Sequence, residues 1–309
     1  MLKKIVLRIA YWFGIDAVFY WLNQRAKRVL VFHHVLAHDV LPQGLRTGMC
    51  EDAEIFDKTI LEELSKKWRF STDVFDPQTM TVTFDDGYRN QYTTAFKLMR
   101  ARNIPGILFW SGDVGKILAI DKINMWAEWS PDRTVNRGEL WKRYQEDSEA
   151  RGENVVRWLD SVYPFEKLFA HLPKAYCKER LGVIESHEMD EMRAAGWVIG
   201  WHTKTHSVLS RLSDHDVLGE LTSPPEMRGL PMSYPYGMDG QIDCRVMRIA
   251  EDLGYPCAFA NTHESPNNFN RYFMPRMHIW NADKYDMHFE LSGLRFFLKH
   301  HKLLPKVSR

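Results

Sequence analysis

Residues 81–90, T-V-T-F-D-D-G-Y-R-N, join a strand-forming run to two adjacent aspartates, Asp85 and Asp86. Neighbouring side chains in an extended segment point in opposite directions, so one carboxylate can bind a cation while the other stays free to handle a proton. A cation would also offset the repulsion that raises the pKa of one of two adjacent carboxylates. The alternative is an ordinary turn after a strand, because Asp-Asp-Gly is favourable turn chemistry. The stretch therefore predicts either a metal-dependent site or a simple turn.

Strands and helices alternate along the rest of the chain. Apolar and β-branched runs predict strands at 28–35, 80–84, 105–110, 197–202, 232–237, 257–261 and 273–280. Helical patterns predict helices at 53–68, 90–102, 186–196 and 241–253. This alternation indicates an α/β fold with a parallel sheet, either open or closed into a barrel. In such folds the chemistry collects at the carboxyl ends of the strands.

The chain divides into three segments. Residues 29–291 carry the alternating elements, and a polar, Trp-rich, helical stretch at about 113–180 predicts an insertion between them. Residues 1–28 and 292–309 each have a net charge of +5, although the whole chain has 41 basic and 40 acidic residues. This overall balance does not favour nucleic acid as a partner. The four cysteines form no C-x-x-C pair and are predicted to be reduced thiols.

The first segment, residues 1–28, is apolar and aromatic but is interrupted by Arg8 and Asp16. No small-residue cleavage site follows it, so no cleaved signal peptide is predicted. No apolar run reaches the roughly 18–20 residues that span a bilayer. Two interpretations stay open: a helix lying in a membrane interface, or a helix packed on the surface of the barrel. In the first, the protein is cytoplasmic and peripheral to the inner face of the membrane.

His202 and His206 stand four residues apart in H-T-K-T-H, at the end of the predicted strand 197–202. This spacing lets two imidazoles reach one metal ion, but such pairs also arise by chance in a chain with 13 histidines. His34 and His38 form a second pair with the same spacing. Only the later pair follows a strand punctuated by glycine, and it is therefore the stronger candidate.

Four motifs, in this order, resemble those of the polysaccharide deacetylase family. They are T-F-D-D-G at 83–87, H-T-x-x-H at 202–206, S-Y-P-Y-G at 233–237 and P-R-x-x-I at 275–279. The family is also called carbohydrate esterase family four, or the chitooligosaccharide deacetylase homology domain. The resemblance runs from about residue 28 to 280 and implies a deformed, TIM-like (β/α) barrel of about seven strands.

The resemblance also implies roles for individual residues. Asp85 corresponds to the catalytic base, and the backbone N–H of Tyr236 to part of the oxyanion hole. Asp86, His202 and His206 correspond to the ligands of a divalent metal. Zinc fits this set best, because two imidazoles, one carboxylate and an open position match a catalytic zinc site. Other divalent ions are also accepted by such ligands.

The chain departs from the usual family pattern in two places. Ser233 stands where an arginine is usual, and no final L-x-H motif supplies the usual catalytic histidine. The chain resembles instead a permuted branch in which a Y-H-x-V on the first strand supplies that histidine, which nominates His33 as the general acid. His278 on the last strand is the alternative, while His34 is expected to face the helices. Arg276 is expected either to orient the base in place of the missing arginine or to form a structural ion pair.

The implied activity is that of a metal-dependent hydrolase acting on linear amides, which are carbon–nitrogen bonds other than peptide bonds. It would remove N-acetyl groups from amino sugars of a polysaccharide, an oligosaccharide or a glycan precursor. Two alternatives stay open: a deformylase or other amidase on a lipid-linked sugar, and a non-catalytic carbohydrate-binding member of the family. The expected partners are a carbohydrate and, through the basic termini, a membrane surface.

Overall fold

Parallel strands form the centre of the protein in a computed structural model that describes residues 2–41, 50–112, 117–132, 134–238, 240–262, 270–279 and 283–301. The strands are β1 Arg28–Phe32, β2 His34–Leu36, β3 Cys50–Asp52, β4 Arg69–Phe70, β5 Thr79–Phe84, β6 Ile107–Trp110, β7 Val198–Trp201, β8 Met232–Ser233, β9 Ala258–Phe259 and β10 Met277–His278. Seven of them follow the order β10-β1-β5-β6-β7-β8-β9, all in parallel, and β4 pairs with β5.

This sheet curls into a half-barrel, which confirms the predicted fold class. All seven predicted strands are present, although most are shorter than predicted. The edge strands β9 and β10 are not hydrogen-bonded as a ladder, but Phe259 makes a parallel bridge to Met274, just before β10. A separate pair, β2 and β3, lies beyond the end of β1.

Helices surround the sheet. They are α1 Leu2–Trp12, α2 Ile15–Leu22, α3 Glu62–Ser65, α4 Lys97–Ala101, α5 Ala119–Trp129, α6 Arg137–Glu146, α7 Glu153–Val162, α8 Phe165–His171, α9 Lys174–Leu181, α10 Ser186–Ala194, α11 Asp214–Leu221, α12 Cys244–Asp252, α13 Lys284–Leu291 and α14 Leu294–His300. π-Helical segments Ile55–Leu61 and Gln91–Phe96 lead into α3 and α4, and short 3₁₀ turns occur at Leu209–Arg211 and Pro225–Met227.

The alternation of side chains along β5 divides the core into two layers. Met80, Val82 and Phe84 pack outwards against the helices, in one cluster with Phe56 and Phe96. A smaller apolar cluster, formed by Val29, Val74, Ile107, Phe109, Cys257, Phe259 and Met274, fills the inside of the half-barrel. Every residue of β5 is buried, as expected for a parallel strand covered on both faces. Asp85, the next residue, therefore emerges from the end of a fully packed strand.

The predicted insertion contains helices α5 to α9 and has a core of its own. That core includes Trp126, Tyr144 and Leu159, and it continues onto the barrel at Val208 and Tyr236. The insertion is thus packed against the carboxyl ends of the strands, where the predicted site residues lie.

The first two helices pack on the last two. Tyr20 bonds its hydroxyl to His288 Nδ1 at 3.0 Å, and the Asn23 side chain donates to the Ser292 carbonyl at 2.8 Å. Leu7 packs with Phe289 and Leu294. Of the predicted basic segment 292–309, residues 302–309 lie outside the described residues.

Two further sequence predictions concern the membrane and the thiols. Of the helices described, none combines the length and the apolar character required to cross a membrane. The four cysteines, all within the described residues, are free thiols, as predicted.

Candidate metal centre and catalytic residues

Three of the predicted ligands converge at the carboxyl ends of β5 and β7. Asp86 Oδ1 lies 3.2 Å from His202 Nε2 and 3.1 Å from His206 Nε2. The candidate ligand atoms of the three residues all lie within 4.8 Å of one another, and all three residues are buried. His34 and His38, the second pair with the same spacing, do not join this cluster: His38 instead pairs with Asp52 at 2.6 Å on the surface.

Unusual backbone geometry brings these residues together. Asp86, Thr203, His206 and Tyr236 all have φ between 54° and 79°, a region that residues other than glycine rarely adopt. The left-handed turn at Asp86 redirects its carboxylate away from the simple alternation of a strand, towards the two imidazoles. Strain of this kind, of order 1–3 kcal/mol per residue, persists where the surrounding structure enforces it and is common at active sites.

The candidate ligand atoms of the cluster suit a cation. His202 Nδ1 lies 2.8 Å from the Ser233 carbonyl and donates its proton there, which leaves the lone pair on Nε2 directed at Asp86. Asp86 Oδ1 is buried between these two imidazole nitrogens, at 3.2 and 3.1 Å. Burial by itself would raise the pKa of Asp86, but its contacts with His202 and His206 outweigh burial and hold the pKa well below its usual value. Two imidazole nitrogens and a carboxylate within 4.8 Å of one another form a group that could hold a divalent ion.

Asp85 is bound to a different partner. Arg276 Nη1 donates to Asp85 Oδ1 at 2.7 Å and Arg276 Nη2 donates to Asp85 Oδ2 at 2.5 Å, and both side chains are fully buried. This is the bidentate pair that a guanidinium forms with a carboxylate. Burial by itself would raise the pKa of Asp85, but the charge of Arg276 outweighs it and the pKa is lowered. The two adjacent aspartates are therefore separated into an arginine-bound and a histidine-bound carboxylate.

Further acceptors around Arg276 complete this arrangement. Its guanidinium also donates to Thr83 Oγ1 at 3.0 Å, to Ser233 Oγ at 2.6 Å and to Asn261 Oδ1 at 2.7 Å. Sequence patterns alone did not indicate Asn261 as a site residue, and Ser233 stood out only as a departure from the motif. Asn261 ends the predicted strand 257–261, whereas Ser233 is the second residue of the predicted strand 232–237 and ends β8 in the structure. Their hydroxyl and amide oxygens accept hydrogen bonds from an arginine that immediately precedes β10 and does not belong to the S-Y-P-Y-G segment.

The three candidate histidines occupy different positions. His33 follows β1, and its ring is stacked on that of His278 with centroids 6.3 Å apart. Burial lowers the pKa of His33, while the charges of Asp86 and Asp85 oppose this shift without cancelling it. His34 points elsewhere, as predicted from strand alternation: it is fully buried against Tyr88, with ring centroids 3.9 Å apart, and its Nδ1 contacts the Asn90 side chain at 3.1 Å.

Tyr236 lies against the metal-ligand cluster. Its ring contacts His206 with centroids 4.7 Å apart, and Tyr144 of the insertion covers its other side at 5.4 Å. Gly237 follows with φ +63°, and a Cβ at this position would lie 2.6 Å from the Asn261 backbone nitrogen. Only glycine therefore fits the turn that presents the Tyr236 backbone.

Comparisons with known proteins identify a family for the chain. The polysaccharide deacetylase family model matches residues 73–258, which include Asp85, Asp86, His202, His206 and Tyr236 but neither His33 nor Arg276. A comparison with curated protein sequences gives no significant match.

Solved structures share the fold. The Streptococcus pyogenes deacetylase PplD in complex with acetate has a TM-score of 0.53 and 12% identity, with 86% of this chain and 98% of that chain covered. IcaB from Ammonifex degensii has a TM-score of 0.51 and 18% identity, with 87% and 96% covered. A de-N-acetylase from Aggregatibacter actinomycetemcomitans has a TM-score of 0.51 and 12% identity, with 84% and 98% covered. Since the family match spans more than half of the chain and includes the converging aspartates and histidines, the chain belongs to the polysaccharide deacetylase family and is a hydrolase.

Proposed function

We propose that the protein is a metal-dependent N-deacetylase that releases acetate from N-acetylated amino sugars. One observation carries this proposal: the two adjacent carboxylates have separate partners, Arg276 for Asp85 and the two histidines for Asp86. A carbohydrate-binding protein would gain nothing from a second buried carboxylate beside a metal site. A hydrolase needs one, because a base must take the proton of the attacking water.

Each residue then has a distinct role. Asp86, His202 and His206 would hold the divalent ion, which supplies Lewis-acid activation of the water and the amide. Asp85 accepts the proton from the water, and Arg276 keeps its carboxylate ionised and oriented. The backbone N–H of Tyr236 donates to the oxygen that develops negative charge. Zinc is the proposed ion, since the donors are two imidazoles and one carboxylate.

His33 is proposed as the proton donor to the departing amine. It adjoins Asp85 and Asp86 closely enough for their charges to act on its pKa. His278, stacked on it, is the alternative donor. An imidazole suits this step because its pKa lies near neutrality, so it can hold a proton and release it to the leaving nitrogen.

Metal content and product release test the proposal. Purified protein is expected to carry one divalent ion, and His202→Ala and His206→Ala are expected to lose most of it. Asp85→Asn is expected to keep the ion and lose at least about 10²-fold in turnover, the usual worth of a general base. His38→Ala, from the surface pair, is the matched control and should change neither property.

The assay should offer N-acetyl and N-formyl amino sugars side by side and detect both acetate and formate. If only formate were released, the protein would be a deformylase and not a deacetylase. Full metal occupancy in both histidine variants would end the metal assignment. If His278→Ala lost turnover while His33→Ala kept it, His278 and not His33 would be the proton donor.

We also propose that the face formed by α1, α2 and α14 rests on an anionic membrane. Eight of the twelve large apolar side chains exposed in the described part of the chain lie on it: Ile9, Trp12, Phe13, Ile15, Val18, Trp21, Leu22 and Phe297. Trp12 and Phe13, which are 79% and 80% exposed, stand at the turn between α1 and α2. Exposed Arg8, Arg25 and Lys299 flank these aromatics. Aromatic side chains with basic neighbours are typical of helices in a membrane interface.

Vesicle flotation tests this contact. The full chain is expected to float with vesicles of phosphatidylcholine and phosphatidylglycerol, and Trp12→Ser with Trp21→Ser should release it. Leu218→Ser is the matched control, because Leu218 is an exposed apolar residue, 45% accessible, on α11. Equal flotation of the double variant and the control would contradict membrane contact through this face.

A further inference from the structure

A cavity of about 320 Å³ opens beside the candidate metal centre. Its wall on the barrel side includes Thr205, His206 and Tyr236, and its opposite wall comes from the insertion, through α5, α7 and the segments before them. This volume is at the small end of the range for ligand sites and suits one or two sugar units. A substrate whose acetamide lies at the metal centre would therefore extend into the cavity.

Positive charge dominates the wall that the insertion contributes. Lys122, Arg151 and Arg157 line the cavity, and among the described lining residues Glu153 is the one acidic side chain. Arg151 is neutralised by Glu153 at 2.8 Å. Within the described part of the chain, no carboxylate pairs with Lys122 or Arg157: Arg157 donates only to the Asn154 amide, and the Lys122 ammonium lies 5.7 Å from the centre of the Phe165 ring.

From this arrangement we infer that the cavity binds an anionic group, a phosphate or a carboxylate, carried by the substrate one or two sugar units from the reacting acetamide. The inference rests on the proposed deacetylase function and narrows its substrate class to acidic glycans or sugar phosphates. Lysine and arginine are the side chains that bind such groups through charge-assisted hydrogen bonds. Ile117, Leu118 and Val156 supply the apolar part of the wall, against which a sugar ring can pack.

The position of Lys122 is set by the catalytic loop itself. Tyr88, two residues after Asp86, donates its hydroxyl to Asp121, with both carboxylate oxygens 2.9 Å away. Asp121 is 1% exposed and immediately precedes Lys122 on α5. This buried bond ties α5 to the turn that carries Asp86, so the helix position that bears Lys122 is held beside the candidate metal centre.

The test compares anionic and neutral substrates that share one N-acetylglucosamine unit. N-acetylglucosamine 1-phosphate and a disaccharide of N-acetylglucosamine with a uronic acid are the anionic probes, and methyl N-acetylglucosaminide is the neutral one. The KM of the wild-type protein is expected to be about tenfold lower for an anionic probe, the worth of one charge-assisted hydrogen bond. Comparison of the two anionic probes distinguishes phosphate from carboxylate recognition.

Lys122→Gln combined with Arg157→Gln should remove this preference, so that the ratio of the two KM values returns to about one. Lys142→Gln is the matched control: it loses the same kind of charge on α6, where its side chain is 72% exposed and outside the cavity, and it should keep the wild-type ratio. A wild-type protein without preference overturns the inference. A preference that survives in the double variant also overturns it and assigns the charge to another site.

Calorimetric binding to Asp85→Asn protein separates this inference from the proposed function. The anionic probe should bind that protein more tightly than the neutral probe, and the double substitution should abolish the difference. If no probe were deacetylated but the binding difference held, the cavity assignment would stand and the deacetylase proposal would fail. Deacetylation without any binding difference would support the deacetylase proposal and overturn the cavity assignment.

Discussion

The buried pair of Arg276 and Asp85 allows a sharp prediction for Arg276→Met. Methionine approximates the length of the arginine stem and removes the guanidinium, whose nitrogens bond both Asp85 oxygens at 2.7 and 2.5 Å. Both side chains are fully buried, so water cannot replace the lost donors. Removing one partner of such a pair leaves an uncompensated buried charge, which costs about 3–5 kcal/mol. That is a large share of the roughly 5–15 kcal/mol that stabilises a typical domain.

A double-mutant cycle isolates the interaction from other consequences of the substitution. Arg276→Met also removes the hydrogen bonds to Thr83, Ser233 and Asn261. This loss is the same whether residue 85 is Asp or Asn, so it cancels in the cycle. Asp85→Asn removes the charge that Arg276→Met would leave unpaired. The double variant is therefore expected to be more stable than the sum of the single losses predicts, by about 2–3 kcal/mol, within the range for residues in direct contact.

Equilibrium unfolding in urea, followed by circular dichroism on all four proteins, measures each free energy. The slopes against urea concentration must agree if the denatured states are comparable. Strict additivity of the two single losses would refute the claim that Arg276 and Asp85 stabilise each other. A loss below about 1 kcal/mol for Arg276→Met would refute the claim that the pair is buried and dry.

Three further substitutions have expected outcomes. Gly237→Ala should destabilise the protein by at least about 1 kcal/mol and lower turnover, because its φ is +63° and the new Cβ would meet Asn261; unchanged urea midpoints would contradict this geometry. Tyr88→Phe should cost about 1–3 kcal/mol in urea unfolding, since it leaves the buried Asp121 carboxylate without its hydroxyl donor. His34 has a pKa that burial lowers from 6.5 to about 4, so the unfolded chain binds its proton first as the pH falls. Stability should therefore be full above about pH 6.5 and fall by up to roughly 3 kcal/mol towards pH 4, and His34→Gln should reduce this slope in urea titrations at each pH.

Local patterns in the sequence predicted the fold class and the residues that meet in the candidate metal centre. Seven apolar runs alternating with helical segments were sufficient to predict a parallel sheet, because the periodicity of apolar side chains indicates which segments are buried. The pairs Asp85–Asp86 and His202–His206 are each compact in sequence, and parallel strands carry their following turns to one rim. The resemblance in four motifs then separated the base from the ligand, a distinction that adjacency alone left open.

Only the tertiary structure showed which partners hold the two carboxylates apart. The partner of Asp85 lies 191 residues away on the segment that leads into β10, and the carbonyl that orients His202 belongs to Ser233, 31 residues further along the chain. For Arg276 the family resemblance gave the one indication, and it left a structural ion pair open. Periodicity and spacing predict neither contact, because each depends on the order of strands around the sheet. The same holds for Lys122 and Arg157, which the sequence presents as ordinary charges of a polar insertion. Their position beside His206 follows from the packing of α5 and α7 onto the barrel, a long-range outcome that no periodicity within the insertion encodes.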